Sequence, residues 1–203
     1  MSLWGNQKIR TMDDQLTDIP SNDDLLNEVV RLRGEVTRLK EMVEQLDELA
    51  HQDSLIELPN RRGFMRRLDE TISRVRRYNE DAGMLFVDLD GLKLINDSFG
   101  HKAGDEALIQ VASMLVGGVR RSDCVARIGG DEFAILLINA PESVANDTAA
   151  RLIDVIADCD FTHDGDTLPL SVAIGVAMIS PDDDSESVMA RADEEMYKRK
   201  AAA

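Results

Sequence analysis

Aromatic residues are scarce in this 203-residue chain: one Trp, two Tyr and five Phe, 4% of the sequence. Any core must therefore be filled by Leu, Ile, Val, Met and Ala. Positive charge is also short. Lys and Arg total 23 against 39 Asp and Glu, a formal net charge of −16. That balance speaks against nucleic acid as a partner, because a duplex binder needs a broad basic face. An anionic ligand would need a locally basic pocket. The two cysteines, Cys124 and Cys159, offer neither metal-ligand spacing nor a disulfide framework and read as reduced thiols. No stretch approaches the roughly 18 apolar residues of a membrane span. The opening MSLWGNQKIR lacks the apolar run of a signal peptide. The expectation is a soluble, cytoplasmic protein. Apolar residues make up 43% of the chain, enough for one domain with a sizeable core plus an extension.

Residues 1–20 are polar and aperiodic and read as a flexible tail. Ser21 follows Pro20, and Asp24 lies three positions on, a helix-start signal. Leu25, Val29, Leu32, Val36, Leu39, Val43, Leu46 and Ala50 then follow at alternating spacings of four and three. This is a heptad seam with Val or Ala at a and Leu at d, the pattern of a parallel two-stranded coiled coil. Glu28 and Glu35 at g precede Arg33 and Lys40 at e by five residues, so both pairs would meet across a parallel seam. The alternative is one amphipathic helix packed on its own domain. The narrow stripe and the flanking charges favour a parallel homodimer through Leu25–Ala50, with residues 21–52 as the dimerisation helix.

Residues 53–203 read as one α+β domain. Helical periodicity covers Asn60–Tyr78, Leu92–Phe99, Asp105–Val119, Glu142–Ala157 and Ser187–Lys200. Strands are expected at Met84–Asp88, Val125–Ile128, Glu132–Leu137 and Leu168–Ala177. The order β-αα-β-β-α-β suits an antiparallel sheet with helices on one face, of the split βαβ type.

Within this pattern ARIGGDEFAILL (Ala126–Leu137) sets two carboxylates at the tip of an apolar hairpin. Gly129-Gly130 is expected to supply positive φ for a tight turn and room for a bulky ligand. A second acidic pair, Asp88 and Asp90, closes the apolar strand MLFVDLD. If these strands are neighbours, Asp88 and Asp131 converge at one sheet end. Clustered carboxylates repel and raise each other's pKa unless a cation lies between them. Mg²⁺, with Mn²⁺ as the alternative, fits. Mg²⁺ takes one or two carboxylates, keeps waters, and completes its shell with substrate phosphates. Such a site suits phosphoryl or nucleotidyl transfer.

Four segments, in order, resemble the GGDEF family of diguanylate cyclases. They are DSLIELPNRRGF (Asp53–Phe64), DLDGLKLINDSFGHKAGDEAL (Asp88–Leu108), GGDEF (Gly129–Phe133) and ADEEMYKRK (Ala192–Lys200). The resemblance implies a palm-like nucleotidyl cyclase fold. It also implies condensation of two GTP into cyclic di-GMP with release of two pyrophosphates, at the interface of two domains, in bacterial second-messenger signalling. By position, Asp88, Asp131 and the Leu89 carbonyl would ligate the metal. Glu132 would assist there or polarise the attacking 3′-hydroxyl. Asn96 and Asp105 would read guanine. Lys93 and Lys200 would hold phosphates, with the backbone N–H groups of Gly91 and Leu92 forming a small anion nest. Gly129 and Gly130 would admit the nucleotide, and Arg127 would add charge near the hairpin. His101 is the exception, read as a loop hydrogen-bonder without a catalytic role.

A second site is implied upstream. Arg120-x-x-Asp123, with five residues between Asp123 and Gly129, is similar to the family's product-inhibition motif. Arginine pairs bidentately with phosphate and guanine, and Arg151 would add a contact. Departures are modest. Ile56 stands where Thr is usual, Leu92 where Phe is usual, and Arg199 where a small residue is usual. Ala201–Ala203 stand where the family continues into G-R-N and an edge strand, which puts some phosphate contacts in question. No sensor segment is recognised before the seam, so an input through the tail or a partner is expected. Two rivals are a catalytically dead cyclic di-GMP receptor and a coiled-coil scaffold. Intact Asp88, Asp131 and Glu132 argue against the first.

Overall fold

The computed structural model describes residues 21–202; the expected tail, Met1–Pro20, lies outside the described residues. These divide into two units, one ending at Asp47 and one starting at Glu48. Helix α1 spans Asn22–His51. Its start is the expected capping box: Asp24 N donates to Ser21 Oγ and Ser21 N to Asp24 Oδ2, both at 3.1 Å. Each bond satisfies an amide that the first turn would otherwise leave unpaired. Leu25, Val29, Leu32, Val36, Leu39 and Val43 remain 45–63% exposed. The side chain of Leu46 lies outside the described residues. Glu28 and Glu35 are both engaged within the helix, by Arg31 at 2.7 and 3.3 Å. Cross-chain pairing would exchange these contacts for others of similar small worth.

The second unit is built on a four-stranded sheet of order β2-β3-β1-β6, antiparallel throughout. The strands are β1 (Ala82–Leu89), β2 (Cys124–Gly129), β3 (Glu132–Ile138) and β6 (Val172–Met178). Alternate residues of the central strands enter two cores. Leu85, Val87 and Leu89 of β1 and Phe133, Ile135 and Leu137 of β3 pack against α3 (Leu92–Phe99), α4 (His101–Gly117) and α5 (Glu142–Ala157). Met84, Phe86, Ala134 and Leu136 pack with α2 (Arg61–Tyr78) and α6 (Ser185–Ala202). The expected helices on one face are thus helices on both. The reason is visible in β1, whose near-continuous apolar run leaves neither side polar enough for water. Each fully buried Leu or Phe contributes about 1.5–3 kcal/mol, so a one-residue slip of register would invert both faces at prohibitive cost.

Three local expectations change. Helix α4 begins at His101 rather than Asp105, because Gly100 (φ 85°) ends α3 and the chain turns straight into the next helix. His101 is therefore helical, not in a loop. The single strand expected over Leu168–Ala177 is two elements. Asp166–Leu168 (β5) pairs with Phe161–His163 (β4) as a separate hairpin, and β6 starts only at Val172. Asp164 (φ 49°) and Gly165 (φ 94°) form its two-residue turn, the Asp-Gly hairpin signal, and Pro169 breaks the run. Helix α6 lies close on β6 because Gly175 has no side chain. A Cβ there would meet the backbone of Ala192 and Met196 at 2.1 and 2.2 Å.

Candidate functional site

The register of β1 against β3 places Asp88 directly opposite Glu132. Both follow the phase of Met84 and Phe86 and so face the α2/α6 side of the sheet. Leu89 N donates to the Asp131 carbonyl at 3.0 Å, which ties the hairpin tip to the end of β1. The sequence expectation that the acidic pairs converge is met. The reason given for the glycines is not. Neither Gly129 nor Gly130 adopts a left-handed φ; the tip turns through a bulge between Arg127 and Gly129. A Cβ on Gly129 would meet Glu132 Oε2 at 3.1 Å, and one on Gly130 would meet nothing within 4 Å. Gly129 makes room for the Glu132 carboxylate, and Gly130 leaves the tip open.

Charge at this sheet end is crowded. Burial, then the neighbouring Asp131, Asp88 and Asp193, push the Glu132 carboxyl up from its ordinary value, with Arg61 opposing. Glu132 opens onto a concavity of about 340 Å³ that it shares with Arg61, Glu186 and Asp193. Sequence reasoning missed Arg61 and Asp193; both lie inside quoted motifs, but nothing local aims either at Glu132. Lys200 reaches the cluster from the end of α6. Its ammonium donates to Asp88 Oδ1 and lies 3.6 Å from Asp90 Oδ1. The Asp88 bond raises its pKa, against desolvation, and Asp90 and Asp131 add to the rise. Asp90 is itself fixed: Ser171 Oγ donates to Asp90 Oδ2 at 2.9 Å, and Asp90 N to Ser171 O at 2.9 Å. Lys200 thus stands on carboxylates here, where the resemblance implied phosphates.

Arg127 is more committed than a free cation. Nη1 pairs with Asp53 Oδ1 at 3.1 Å, while Nε and Nη2 donate to the Gly130 carbonyl at 3.2 and 2.8 Å. The two side chains are only 14% and 18% exposed. Arg127 is therefore a buckle between the tip and the segment after α1, and both arms are taken. Asp53 also accepts from Leu55 N and Ile56 N, both at 2.9 Å.

At the other rim, Gly91 (φ 69°, ψ 11°) enters α3 without a side-chain cap, and no acidic residue occupies the first turn. The Leu92 side chain is buried, while Lys93 and Asp105 are exposed. Asn96 lies so close to α4 that a Cβ on Gly104 would fall 2.1 Å from Asn96 Oδ1. Asn96 and the start of α4, which carries Asp105, therefore meet at one corner. Arg120, Asp123 and Arg151 line one concavity of about 300 Å³. Asp123 is largely occupied within it, accepting from Arg120 N at 2.9 Å and Ile138 N at 3.1 Å. Arg151 donates to the Gly118 carbonyl at 2.5 Å.

The carboxylates present hard oxygen donors, as a small divalent cation requires. Among the described residues no three Asp, Glu, His or Cys side chains already converge with ligand geometry. Such a donor set suits a cation that takes one or two carboxylates and the rest of its shell from water and substrate. Among the described residues no helix is long and apolar enough to cross a membrane.

A sheet flanked by helices, a carboxylate pair in register and a clamped Gly-Gly-Asp-Glu tip together build the site. Residues 50–203 match the family model described as diguanylate cyclase, GGDEF domain, and the chain belongs to that family. It is 38% identical over 170 residues to the diguanylate cyclase TpbB of Pseudomonas aeruginosa, covering 82% of this chain and 39% of that protein. It is 34% identical over 167 residues to the probable diguanylate cyclase DgcE of Escherichia coli, covering 82% of this chain and 15% of that protein. The chain thus spans well under half the length of these relatives. Among solved structures, the coiled coil and GGDEF domain of DgcB from Caulobacter crescentus, in complex with c-di-GMP, superposes with a TM-score of 0.79. Identity there is 27%, over 88% of this chain and 95% of that one.

Proposed function

We propose that this chain is a diguanylate cyclase that joins two GTP into cyclic di-GMP and releases two pyrophosphates. The observation that carries this reading is the placement of Asp88 opposite Glu132 with Asp131 tied to the adjacent strand end. Asp88, Asp131 and the Leu89 carbonyl would hold Mg²⁺ or Mn²⁺. Bound there, the cation would neutralise triphosphate charge and polarise the attacking hydroxyl. Asn96 and Asp105 bind guanine: a carboxylate accepts from guanine N1–H and N2–H, a donor pair adenine lacks. Lys93 and the backbone amides of Gly91 and Leu92 hold phosphate oxygens. Gly129 and Gly130 leave the tip clear for the nucleotide. Glu132, beside Asp88 and Asp131, would assist at the metal or polarise the attacking 3′-hydroxyl. One domain supports one nucleotide, so each 3′-oxygen must attack the α-phosphate held by a second domain. The α1 seam, as a parallel homodimer, raises the concentration of facing domains, and positioning supplies much of the rate. Arg120, Asp123 and Arg151 form the product-inhibition site, with Arg120 the side chain left to recruit cyclic di-GMP.

The test is incubation with GTP and Mg²⁺, with products separated and identified by mass. Cyclic di-GMP and pyrophosphate are expected in a 1:2 ratio. A folded protein that binds GTP but yields neither would refute the reading and favour a receptor.

A further inference from the structure

Lys200 makes two contacts that the proposed reaction does not use. It bonds Asp88 Oδ1, and its ammonium is 3.6 Å from Asp90 Oδ1. Asp88 is 14% exposed and sits beside Glu132 with Asp131 close by, so it needs a positive partner at that spot. A divalent cation taking either oxygen of the Asp88 carboxylate would lie within a few ångströms of the ammonium on Oδ1 and repel it. Asp90 is built as a second anchor: Ser171 fixes one of its carboxylate oxygens and its backbone amide, leaving Oδ1 for Lys200.

We propose that Lys200 is an internal counter-cation that a divalent metal displaces from Asp88, and that Asp90 holds the displaced ammonium until triphosphate oxygens take it. This rests on the metal assignment of Asp88 made above. Exchange, not addition, sets the charge: the site never carries both cations on Asp88. Metal alone must break a charge-assisted hydrogen bond to bind. Metal with nucleotide breaks it too, but gives Lys200 a phosphate in return. Metal and nucleotide therefore favour each other's binding, and by linkage the coupling is the same in both directions. Lys200 on this view sets how far the metal waits for substrate.

The test compares wild type with Lys200→Met, which keeps chain length and removes the charge. Free Mn²⁺ is titrated by electron paramagnetic resonance without nucleotide, then with a non-cyclisable GTP analogue. Lys200→Met should bind Mn²⁺ alone about tenfold more tightly, the worth of one charge-assisted hydrogen bond. The tightening by nucleotide should shrink in the variant. A plain loss of background charge would instead shift both affinities alike, leave the coupling intact, and overturn the proposal. In ¹⁵N-lysine-labelled wild type, the Lys200 ammonium signal, assigned by its loss in Lys200→Met, should move on addition of Mg²⁺ alone. In Asp90→Asn it should instead lose its protection from exchange. An unmoved signal at saturating Mg²⁺ also overturns the proposal while leaving the metal site standing. Absence of Mn²⁺ binding to either protein, with or without nucleotide, overturns the metal assignment and the exchange together.

Discussion

Arg127→Ala tests whether the hairpin tip is held from behind. In the structure the guanidinium spans two groups, Asp53 at 3.1 Å and the Gly130 carbonyl at 2.8 Å. Both partners in the ion pair are less than one-fifth exposed, so the pair is not a solvated surface contact. Stripping one member from a buried pair costs about 3–5 kcal/mol. Asp53 keeps its bonds from Leu55 N and Ile56 N, so the cost falls below that range, to about 2–3 kcal/mol. For a domain of this size that is a fall in Tm of about 4–12 °C. The tip would stay tied through Leu89 N but lose its second hold. A displacement of about 1 Å at Asp131 costs on the order of a hundredfold in turnover. Burial works to raise the Asp53 pKa, yet the bonds from Leu55, Ile56 and Arg127 outweigh it and the value lies below the ordinary one. A depressed carboxylate stabilises above its unfolded pKa, and that stability is lost as pH falls through the folded value. The gap in Tm between wild type and Arg127→Ala should therefore be full near neutrality and narrow once pH drops below about 4. Lys at 127 should recover part, since an ammonium cannot span both partners. The assay is thermal denaturation by circular dichroism from pH 3 to 8, paired with GTP turnover. Unchanged Tm and unchanged turnover in Arg127→Ala would refute the buckle.

Asp131→Asn should abolish cyclic di-GMP formation with an unchanged circular dichroism spectrum, because the tip's tie runs through the Asp131 backbone carbonyl; near-normal product would sink its metal role. Leu32→Asp with Leu39→Asp should put four like charges into a two-chain seam, giving monomers by light scattering and a specific activity that rises with enzyme concentration; a monomer with full activity at low concentration would remove the seam from the mechanism. Arg120→Ala should weaken cyclic di-GMP binding by about 1–3 kcal/mol, seen by calorimetric titration; matching affinities would refute the inhibitory site. Glu132→Gln should raise Tm at neutral pH in chelator. The raised Glu132 pKa means its ionised form costs stability above the folded value, so the gain should vanish toward acid.

Patterns repeated over many residues were legible in the sequence, and those set by one backbone angle were not. The heptad spacing, the helical periodicities and the paired apolar runs of β2 and β3 each rest on several residues agreeing, and helices α1, α2, α3 and α5 fall within a residue of where periodicity puts them. Helix α4 was misplaced at its start by the single turn at Gly100. The β4–β5 hairpin was lost because Leu168 continues the apolar run of β6, although Asp164-Gly165 marked the turn. At the site, Asp88, Asp131 and Glu132 were legible as types in motifs. The partners of Lys200 and Arg127 were not: they lie 112 and 74 residues away along the chain, and only the register of the sheet and the lie of α6 bring them together.

That dependence explains why a cluster of repelling carboxylates can sit at a strand end at all. Asp88 and Glu132 are the last pair of a β1·β3 ladder whose preceding members, from Met84–Leu136 to Val87–Phe133, are core residues. Each buried rung contributes to fixing the next, so the rungs oblige the final pair to face one another despite like charge. The Leu89–Asp131 bond closes the ladder, and Arg127 holds the tip from the opposite side. Lys200 comes to the same point through α6, whose close seating on β6 requires Gly175. Core packing thus enforces a charge arrangement that the carboxylates would not adopt alone. What remains for a cation is the repulsion left among these carboxylates, which its positive charge would relieve.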